Sequence, residues 1–459
     1  MSNDDKITGK IIVTGELECT SPLLISSGEG TDVDSDVVRD GEGKPFIPGT
    51  SWMGAVRDYF EFLESKDEKL FRSYFGYVKP NSKSKNPEFQ SGIIPQDLEI
   101  IGKADIEPRT NTAIDSITLT AKKDNKGSGS LFNYETLASG NKFKFGFEVT
   151  VRELHDFDEV KKLTATIVSE LKNGNITLGS KTNAGFGKVE LRNPKWTLFD
   201  FKNDSSFAEK WLTGDKSATD EFDFLNTLNI DNNITKITGT FKLDGSILVR
   251  QKAGVDEFDT EQMTSNGKPI IPGTSLKGVI RHRAEKILKT IGKYDEDEFN
   301  KLFGWVNNET KGNTDDAIKG RISVNECIIN GGVSEVQTRI RVDYFTGGVM
   351  DHALFSEKPI WSDENTFIEA DIRLNDVNDF ESALIIQVLK DLWTGWLTIG
   401  GEASIGRGRF KGEKLTIERN NQSVKILQDG ENIKISDDDG LLKSFENAWK
   451  NKEIENVSV

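Results

Sequence analysis

Residues 271–281 read Ile-Pro-Gly-Thr-Ser-Leu-Lys-Gly-Val-Ile-Arg, and residues 47–57 read Ile-Pro-Gly-Thr-Ser-Trp-Met-Gly-Ala-Val-Arg. In both copies a Pro-Gly pair ends an extended run, and apolar residues then recur at helical spacing. The Thr-Ser pair supplies hydroxyl groups that can cap a helix. We therefore predict that each copy is a loop that leads into the start of a helix.

The second of these helices carries a strong local positive charge. Its buried stripe is predicted to contain Leu276, Val279, Ile280, Ala284, Ile287, Leu288 and Ile291. Between residues 274 and 293, six Lys or Arg stand against one Glu, a net of +5 in a chain whose net charge is −16. Free backbone N–H groups at a helix start, with Lys277 and Arg281 one turn apart, favour an anionic polymer. An ordinary solvated helix face is the alternative.

The similarity between the two halves extends well beyond this stretch. Asp115 and Asp343 are separated by 228 positions and Gly185 and Gly406 by 221, against 224 for the Pro-Gly pairs. Offsets that stay this close over about 140 residues indicate a duplicated domain. We predict a first domain at 1–200, a linker at 201–233, and a second domain with a C-terminal tail at 234–459.

Composition limits the function classes. The chain has 459 residues and no run of about 18 apolar residues that could span a membrane. The polar segment Met1–Lys6 does not resemble a signal peptide, so we expect a cytoplasmic protein without a membrane partner. Cys19 and Cys327, one in each half, are predicted to be reduced core thiols. Three widely separated His residues make a His-based catalytic triad or metal site improbable.

Periodicity predicts the same element order in both halves. First strands at 7–19 and 237–243 precede polar loops at 26–46 and 245–268 and then the helices described above. Gly92–Gly102 and Gly320–Asn330 are predicted second strands, 143–151 and 368–374 third strands, and 160–171 a second helix. The order βαββαβ is typical of an α+β, ferredoxin-like fold with an antiparallel sheet and both helices on one face. Long insertions at 103–141 and 331–365 interrupt each unit.

Each half closes with a glycine-rich loop. Residues 179–187 read Gly-Ser-Lys-Thr-Asn-Ala-Gly-Phe-Gly, and residues 400–412 contain five glycines with Arg407 and Arg409 between them. Neither loop has the Gly-x4-Gly-Lys-Ser/Thr spacing of a P-loop. Residues without a Cβ atom allow close approach of another backbone. A plain hairpin turn is the alternative interpretation.

The loops before the two helices contain acidic residues at matched places. Asp34 and Asp256 precede the shared proline by 14 and 16 positions. A carboxylate on an exposed loop can bind a divalent ion or orient a hydroxyl group for attack on a phosphodiester. A solvated turn is the alternative.

The helix starts, the acidic loops, the segments Asn111–Thr118 and Asp343–Gly348, and the glycine loops together resemble the RAMP superfamily. In particular they resemble the repeated backbone subunit of type III CRISPR interference complexes, ribonucleoproteins of antiviral defence, here fused in tandem, with III-D as the candidate subtype. The resemblance implies an RRM-like palm that grips a guide crRNA and a thumb in each insertion that flips bases. It also implies cleavage of the paired target RNA that depends on a divalent metal, Mg²⁺ or Mn²⁺, and on a loop Asp. Other CRISPR effector subunits, in a filament-like complex, are the implied protein partners.

Carried over to this sequence, the resemblance assigns catalysis or metal binding to Asp34 and Asp256. Lys277 falls on the basic position of the first helix, where the first half has Met53. The full set of predicted RNA-binding residues is Ser51, Arg57, Arg109, Gly185, Gly187, Lys188, Ser275, Lys277, Arg281, Arg339, Arg341, Gly406, Arg407, Gly408 and Arg409. Two alternatives stay open: a scaffold that binds RNA without cleaving it in one or both halves, and a metal-independent endonuclease that processes repeat RNA, for which the sequence offers few acid-base side chains.

Overall fold

Near the start of each half, a long strand whose side chains alternate between buried and more exposed positions lies inside a sheet, with a neighbouring strand on each side. The computed structural model of the protein describes residues 6–26, 35–78, 88–115, 118, 120–122, 131–204, 206–215, 219–222, 227–228, 230, 233–252, 258–306 and 317–451. Its contacts divide the chain into two units, the first made of 1–109, 132–182 and 186–230, the second of 110–131, 183–185 and 231–459. A division by contacts does not locate the ends of a sequence repeat, so the predicted domain boundaries stay a prediction.

The first half contains the predicted order of strand, helix, two strands, helix and strand, with further short elements between them. Its elements are β1 (Ile7–Cys19), β2 (Phe46–Ile47), α1 (Gly49–Tyr59), α2 (Phe62–Lys66), α3 (Glu68–Phe75), β3 (Ile93–Pro95), β4 (Leu98–Glu99), β5 (Ile106–Thr112), β6 (Leu131–Leu137), β7 (Lys142–Arg152), α4 (Phe157–Lys172), β8 (Val189–Asp200), α5 (Ser206–Thr213) and β9 (Thr219–Glu221).

The second half repeats this order with more short strands. Its elements are β10 (Ile234–Asp244), β11 (Ser246–Ile247), β12 (Arg250–Lys252), β13 (Thr260–Gln262), β14 (Thr264–Ser265), β15 (Lys268–Ile271), α6 (Gly273–Thr290), α7 (Glu296–Phe303), β16 (Trp305–Val306), β17 (Ala317–Ile318), β18 (Ile322–Val324), β19 (Cys327–Asn330), β20 (Val333–Ser334), β21 (Gln337–Val342), β22 (Val349–Lys358), β23 (Ile360–Trp361), β24 (Phe367–Asn375), α8 (Asp379–Trp393), β25 (Arg409–Arg419), β26 (Gln422–Asp429), β27 (Asn432–Ser436) and α9 (Leu441–Asn451).

Strand order confirms the predicted fold class. The sheet of the first unit runs β3-β7-β1-β8-β9, and β1 is antiparallel to both β7 and β8. In the second unit β19, together with β18, is followed by β24, β10 and β25. Second strand, third, first and fourth is the order of a ferredoxin-like βαββαβ unit. The chain is therefore an α+β protein with two tandem ferredoxin-like domains, and β26 and β27 extend the second sheet.

Each unit has its own apolar core between the sheet and its helices. Ile11, Val13 and Leu17 on β1 are fully buried beneath α1 and α4, and α1 adds Trp52, whose ring lies 5.0 Å from that of Phe145. Full burial of such a side chain is worth about 1.5–3 kcal/mol. In the second unit most of the predicted stripe of α6 is confirmed, because Leu276, Ile280, Ala284 and Leu288 are buried and Val279 and Ile287 pack against them. Ile291 is the exception, since it is half-buried and is the C-cap residue after the end of the helix.

Some local predictions need correction. Strict alternation along the predicted first strand would place Ile7 on the same face as Ile11 and Val13, but Ile7 is 52% exposed, because a register shift between Ile7 and Gly9 interrupts the alternation. The predicted second strands are each broken into two short strands, β3 with β4 and β18 with β19. Segment 245–268 is not one polar loop but holds four short strands, since Ile247 and Leu248 are apolar and fully buried.

Hairpins occupy the two insertions. β5 pairs with β6, and β21 pairs with β22 in an antiparallel ladder that includes Arg339 opposite Phe355. We call these pairs the first and second thumb hairpins. The hairpins lie in the insertions where the family resemblance implies a thumb.

Both cysteines are core thiols, as predicted. Cys19 and Cys327 are 1% exposed and free, and burial raises the pKa of each thiol to about 12. A thiol with so high a pKa is protonated at neutral pH and is a poor nucleophile and metal ligand. Chemistry at these two positions is therefore not expected.

Candidate nucleic-acid interface

The two helix starts have the same backbone. Pro48 and Pro272 are the N-cap residues of α1 and α6, with φ of −59° and −58°, and neither helix has a side-chain cap from its N-cap residue. The prediction that the Thr-Ser hydroxyls cap these helices is wrong, because Thr and Ser lie inside the first turn. Proline suits this place because its φ is fixed and it has no N–H to satisfy.

In the first half, the helix start is already occupied by a carboxylate of the same unit. The backbone N–H of Gly49 donates to Asp97 Oδ1 at 2.7 Å. Trp52 Nε1 donates to the carbonyl of the neighbouring Gln96 at 2.9 Å. A carboxylate at this end is favourable, because the first N–H groups of a helix have no partner in the helix and carry partial positive charge.

The start of α6 has no such carboxylate. Asn325 stands 228 positions after Asp97, and its amide nitrogen donates to Asp371 Oδ2 at 2.6 Å instead. Among the residues that the structure describes, no Asp or Glu side chain accepts from the N–H of Gly273. A Cβ atom at Gly273 would lie 2.4 Å from the carbonyl oxygens of Ala184 and Val324, so this position requires glycine.

A lysine without a carboxylate partner lies one turn into α6. Lys277 is half-buried, and within the described ranges it makes no hydrogen bond or ion pair. Burial, and to a lesser extent the charge of Arg281, lowers its pKa to about 8. A buried ammonium group that lacks a counter-charge is stabilised by an anion. The first half has Met53 at this position.

The two arginines at the matched position of each helix differ in what holds them. Arg281 donates from Nη1 to the carbonyl of Gly304 at 2.8 Å, its guanidinium lies 5.4 Å from the ring centre of Phe299, and burial lowers its pKa. Arg57 is exposed and lies 5.7 Å from the ring centre of Phe71. Arg281 therefore has a structural role whether or not it binds RNA. Ser51 and Ser275, in the first turns, are half-buried.

Close contacts within the chain require glycine at several positions of the two glycine loops. Gly187 and Gly408 have φ of +78° and +74°, and a Cβ atom would lie 1.9 Å from the carbonyl oxygen of Leu178 or Ile399. Gly185 is similarly confined, 2.8 Å from the backbone nitrogen of Glu326. Of these loop glycines only Gly406 has open space around its Cβ position, so a side chain at Gly408 is expected to disturb the fold itself.

Exposure divides the basic residues predicted to bind RNA. Arg57, Arg341 and Arg409 are exposed, and Lys188 and Arg339 are half-buried. Arg109 and Arg407 are 3% and 2% exposed, and Arg109 lies 3.3 Å from Glu107. Arg407 belongs to a group of buried charges described below. Because Arg109 and Arg407 are buried, both have a structural role. Their contact with RNA stays a prediction.

Asp34 and Asp256 lie outside the described residues, but the ends of their loops are defined. Ser26 pairs with Val37, and Ser35 Oγ donates to Ser26 Oγ at 2.6 Å. Lys252 is opposite Thr260 in the antiparallel pair β12-β13. Within the described ranges, no group of three or more His, Cys, Asp or Glu side chains is arranged to hold a metal ion.

Comparison with known proteins places this geometry in a family. The sequence matches the RAMP superfamily over residues 16–190 and again over 223–411. The chain belongs to the RAMP superfamily. Each half contains one matched region, which agrees with the two ferredoxin-like domains and the internal repeat.

Two relatives named "CRISPR system Cms endoribonuclease Csm3" are similar to this RAMP protein. The one from Methanocaldococcus jannaschii is 26% identical over 253 residues, which is 51% of this chain and 96% of the relative. The one from Mycobacterium tuberculosis is 27% identical over 227 residues, 44% of this chain and 94% of the relative. About half of the present chain thus matches nearly all of each relative, as a duplicated RAMP protein requires.

The tip of the second RAMP thumb carries residues that the site prediction missed. Asp343 Oδ1 accepts from the N–H and hydroxyl of Thr346, and these bonds lower the pKa of the carboxyl group. The turn presents Tyr344 and Phe345, which are 93% and 91% exposed. Asp115 and Thr118 repeat the Asp-x-x-Thr arrangement. Exposed aromatic rings can stack on nucleic-acid bases. The repeated Asp-x-x-Thr spacing is the sequence signal that could have located this turn.

No helix in the described part of this RAMP protein is long and apolar enough to cross a membrane.

Proposed function

We propose that the chain is a tandem backbone subunit of a type III CRISPR effector complex in the cytoplasm. It binds guide crRNA along its two palms, holds target RNA paired to the guide, and cleaves the target with Asp34 and Asp256. Two findings support the proposal: membership of the RAMP superfamily and similarity to two relatives named as CRISPR endoribonucleases. Other effector subunits are its proposed protein partners.

The observation that carries RNA binding is the difference between the two helix starts. The α1 start holds Asp97 at 2.7 Å, whereas no described carboxylate caps α6, and Lys277 lies half-buried beside it. An external anion is therefore favoured at α6 and disfavoured at α1. A phosphate of an RNA backbone has the charge and acceptor oxygens that helix N–H groups and an ammonium group bind.

Proposed cleavage depends on the two loop carboxylates. In each half, the carboxylate would act on the phosphodiester beside it, and a divalent ion such as Mg²⁺ or Mn²⁺ would stabilise the developing negative charge. Two loops in two fused RAMP domains would place two cuts in one target.

A scaffold role for the second half is the second candidate function. Phe258, two residues after Asp256, is 8% exposed and lies under the ammonium group of Lys358 at 5.1 Å. In the first half, by contrast, Asp34 is succeeded by the small residue Ser35, so the two acidic loops differ in the residues on the C-terminal side of the Asp. Such a difference is consistent with cleavage by the first half and RNA binding alone by the second.

The test compares two lysines on the same helix. Lys277→Gln removes the half-buried charge, and the control Lys286→Gln removes an exposed charge from another face of α6. If Lys277 contacts a phosphate, the logarithm of RNA affinity should depend less steeply on the logarithm of salt concentration, by about 0.7–0.9. The control should keep the wild-type slope. Equal slopes for wild type and Lys277→Gln would contradict a phosphate at the α6 start.

A further inference from the structure

Five charged side chains meet where the second thumb hairpin joins the glycine loop. They are Arg250 on β12, Arg339 on β21, Glu357 on β22, and Glu402 and Arg407 in the loop, and we call them the Arg–Glu cluster. Arg250 Nη2 lies 2.9 Å from Glu357 and 3.0 Å from Glu402. Arg407 Nη1 lies 3.0 Å from Glu402 and 3.4 Å from Glu357, and Arg339 is paired with both glutamates. Each glutamate therefore contacts all three arginines.

The centre of the cluster is buried, and each charge in it is paired with at least one charge of opposite sign. Glu357 is 3% exposed and Arg407 2%. Burial alone would raise the pKa of Glu357, but hydrogen bonds from Arg339 and Arg250 hold it below its ordinary value. Burial lowers the pKa of Arg407, and the glutamates oppose this shift. Loss of one partner would leave a buried charge without compensation, which is costly.

The first half joins its thumb to its glycine loop with different chemistry. At the offset of 221, Lys181 stands at the place of Glu402 and Phe186 at that of Arg407. Lys181 and Glu402 both have a left-handed backbone, with φ of +57° and +63°. The backbone of this junction is thus kept, while its side chains are exchanged.

A tyrosine in the first half takes the place of the buried glutamate. Tyr134 pairs in parallel with Ser35, as Glu357 does with Thr260. Tyr134 packs with Leu24 and Phe186, and Lys181 donates to its hydroxyl group at 2.7 Å. In the first half an apolar cluster with a hydrogen bond from Lys181 thus stands where the second half pairs three arginines with two glutamates.

The apolar junction of the first half and the charged junction of the second half differ in how strictly they fix geometry, rather than in how much they stabilise the protein. An apolar cluster is held by contact area and tolerates small rotations, because the hydrophobic effect is non-directional. Paired guanidinium and carboxylate groups require fixed geometry, and a buried ion network often adds no net stability over an apolar one of similar volume. The second half therefore obtains a defined orientation of its hairpin, whether or not it is more stable.

We propose that the Arg–Glu cluster is a positioning device that holds the second thumb hairpin in one orientation, so that Tyr344 and Phe345 meet RNA at a fixed place on the palm. Glu402 and Glu357 are its positioning residues. The role in RNA engagement rests on the proposed function, while the orientation of the hairpin can be measured without RNA.

Distances between spin labels test the orientation. Phe345→Cys at the tip and Lys286→Cys on the exposed face of α6 would carry the labels in the full chain, since Cys19 and Cys327 are buried. Glu402→Gln should broaden the distance distribution, because it removes the charge with little change in shape. The control Glu413→Gln breaks an exposed pair with Lys242 at 2.8 Å and should leave the distribution unchanged. An unchanged distribution in Glu402→Gln would overturn the proposal.

A second variant guards against loss of folding. Arg250→Gln removes the most exposed arm of the cluster, which is 48% exposed, and thermal unfolding would confirm that the chain remains folded. The distribution should broaden in this variant as well. Narrow distributions in a folded Arg250→Gln protein would count against the cluster even if Glu402→Gln failed to fold.

Ultraviolet cross-linking of a synthetic guide-length RNA to the Tyr344-Phe345 peptide tests the link to function. Glu402→Gln should lose this cross-link while its RNA affinity stays within about twofold of wild type, since phosphate contacts elsewhere supply most of the affinity. A retained cross-link with a broadened hairpin would overturn the positioning role. If the wild type bound no RNA, the proposed function would fail, and the distance measurement alone would decide whether the cluster holds the hairpin.

Discussion

The starts of α1 and α6 have the same sequence pattern, the same proline N-cap and nearly the same backbone angles, but opposite electrostatics. At α1 the carboxylate of Asp97 binds the helix N–H, and Met53 lies one turn further along. At α6 the matched residue is Asn325, and Lys277 replaces the methionine. The comparison shows that a duplicated helix start can be closed by a carboxylate of its own chain in one copy and lack any described carboxylate in the other.

The same divergence occurs at the thumb junctions. The first half packs Leu24, Tyr134 and Phe186, while the second half pairs three arginines with two glutamates on an equivalent backbone. Backbone requirements such as the left-handed residues are shared by the copies, and side-chain chemistry is not. After the duplication, the two copies thus kept the backbone conformations that steric constraints require, whereas their charged side chains diverged.

The largest expected effect is on the rate of target cleavage, and it distinguishes the two acidic loops. Asp34→Ala and Asp256→Ala should each abolish a different cut in the target, lowering its rate by about 10²–10⁴-fold, because the carboxylate would act mainly in the transition state. Target affinity should not change. Product bands from a labelled target RNA, measured with each single variant and the double variant, check this expectation.

The outcome also sorts the candidate functions. If Asp256→Ala alone has no effect on the bands, the second half is a scaffold. If both single variants cut at every site as the wild type does, the catalytic assignment is wrong. Cleavage by the wild type in the presence of a chelator would favour the metal-independent endonuclease.

The next effect concerns two glycines of one loop. Gly408→Val should destabilise the protein by about 2–6 kcal/mol, because it combines a positive φ with a Cβ atom 1.9 Å from the carbonyl oxygen of Ile399. Gly406→Val should cost only the backbone strain, about 1–3 kcal/mol, since open space surrounds its Cβ. Chemical denaturation measures both, and equal losses would show that the clash at Gly408 relaxes.

A smaller effect is expected from exchanging the residues that distinguish the helix starts. Asn325→Asp places a carboxylate near the start of α6 and should weaken RNA binding roughly threefold to thirtyfold. The matched change Asp97→Asn should leave RNA affinity unchanged and lower stability by about 0.5–2 kcal/mol, because α1 loses its capping carboxylate. Equal RNA affinities in both variants would mean that the two starts do not differ in the way proposed.

The smallest effect is on the pH dependence of RNA binding. The pKa of Lys277 is lowered to about 8, so a neighbouring phosphate gains from protonation of the amine below that pH and loses it above. Wild-type affinity should therefore fall by up to about tenfold between pH 7 and pH 9. Lys277→Arg, which stays charged, should lose less, and Lys286→Arg should behave as wild type. A flat wild-type profile would contradict the role of Lys277.

The fold was largely predictable from the sequence because period and offset are local signals. The alternation of β1, the stripe of α6 and the repeat of 221–228 positions predicted two ferredoxin-like domains, whereas the thumbs in the insertions were implied by the family resemblance. Errors arose where local signals compete. Thr and Ser can cap a helix, but the preceding proline takes the N-cap place, and a register shift at Ile7 turns that side chain outward.

The candidate site was predictable only in part. Lys277 stood out because of its local charge, and the Asp-x-x-Thr turns repeat at a fixed offset. The sequence alone determined that this protein is a duplicated RAMP chain with a basic helix and two acidic loops. It could not show that Asp97 closes one helix start, that Arg407 is buried between glutamates, or that Gly408 is fixed by Ile399. Those contacts join residues far apart in the chain, so only the tertiary structure decides which charges are neutralised inside the protein and which remain for a partner.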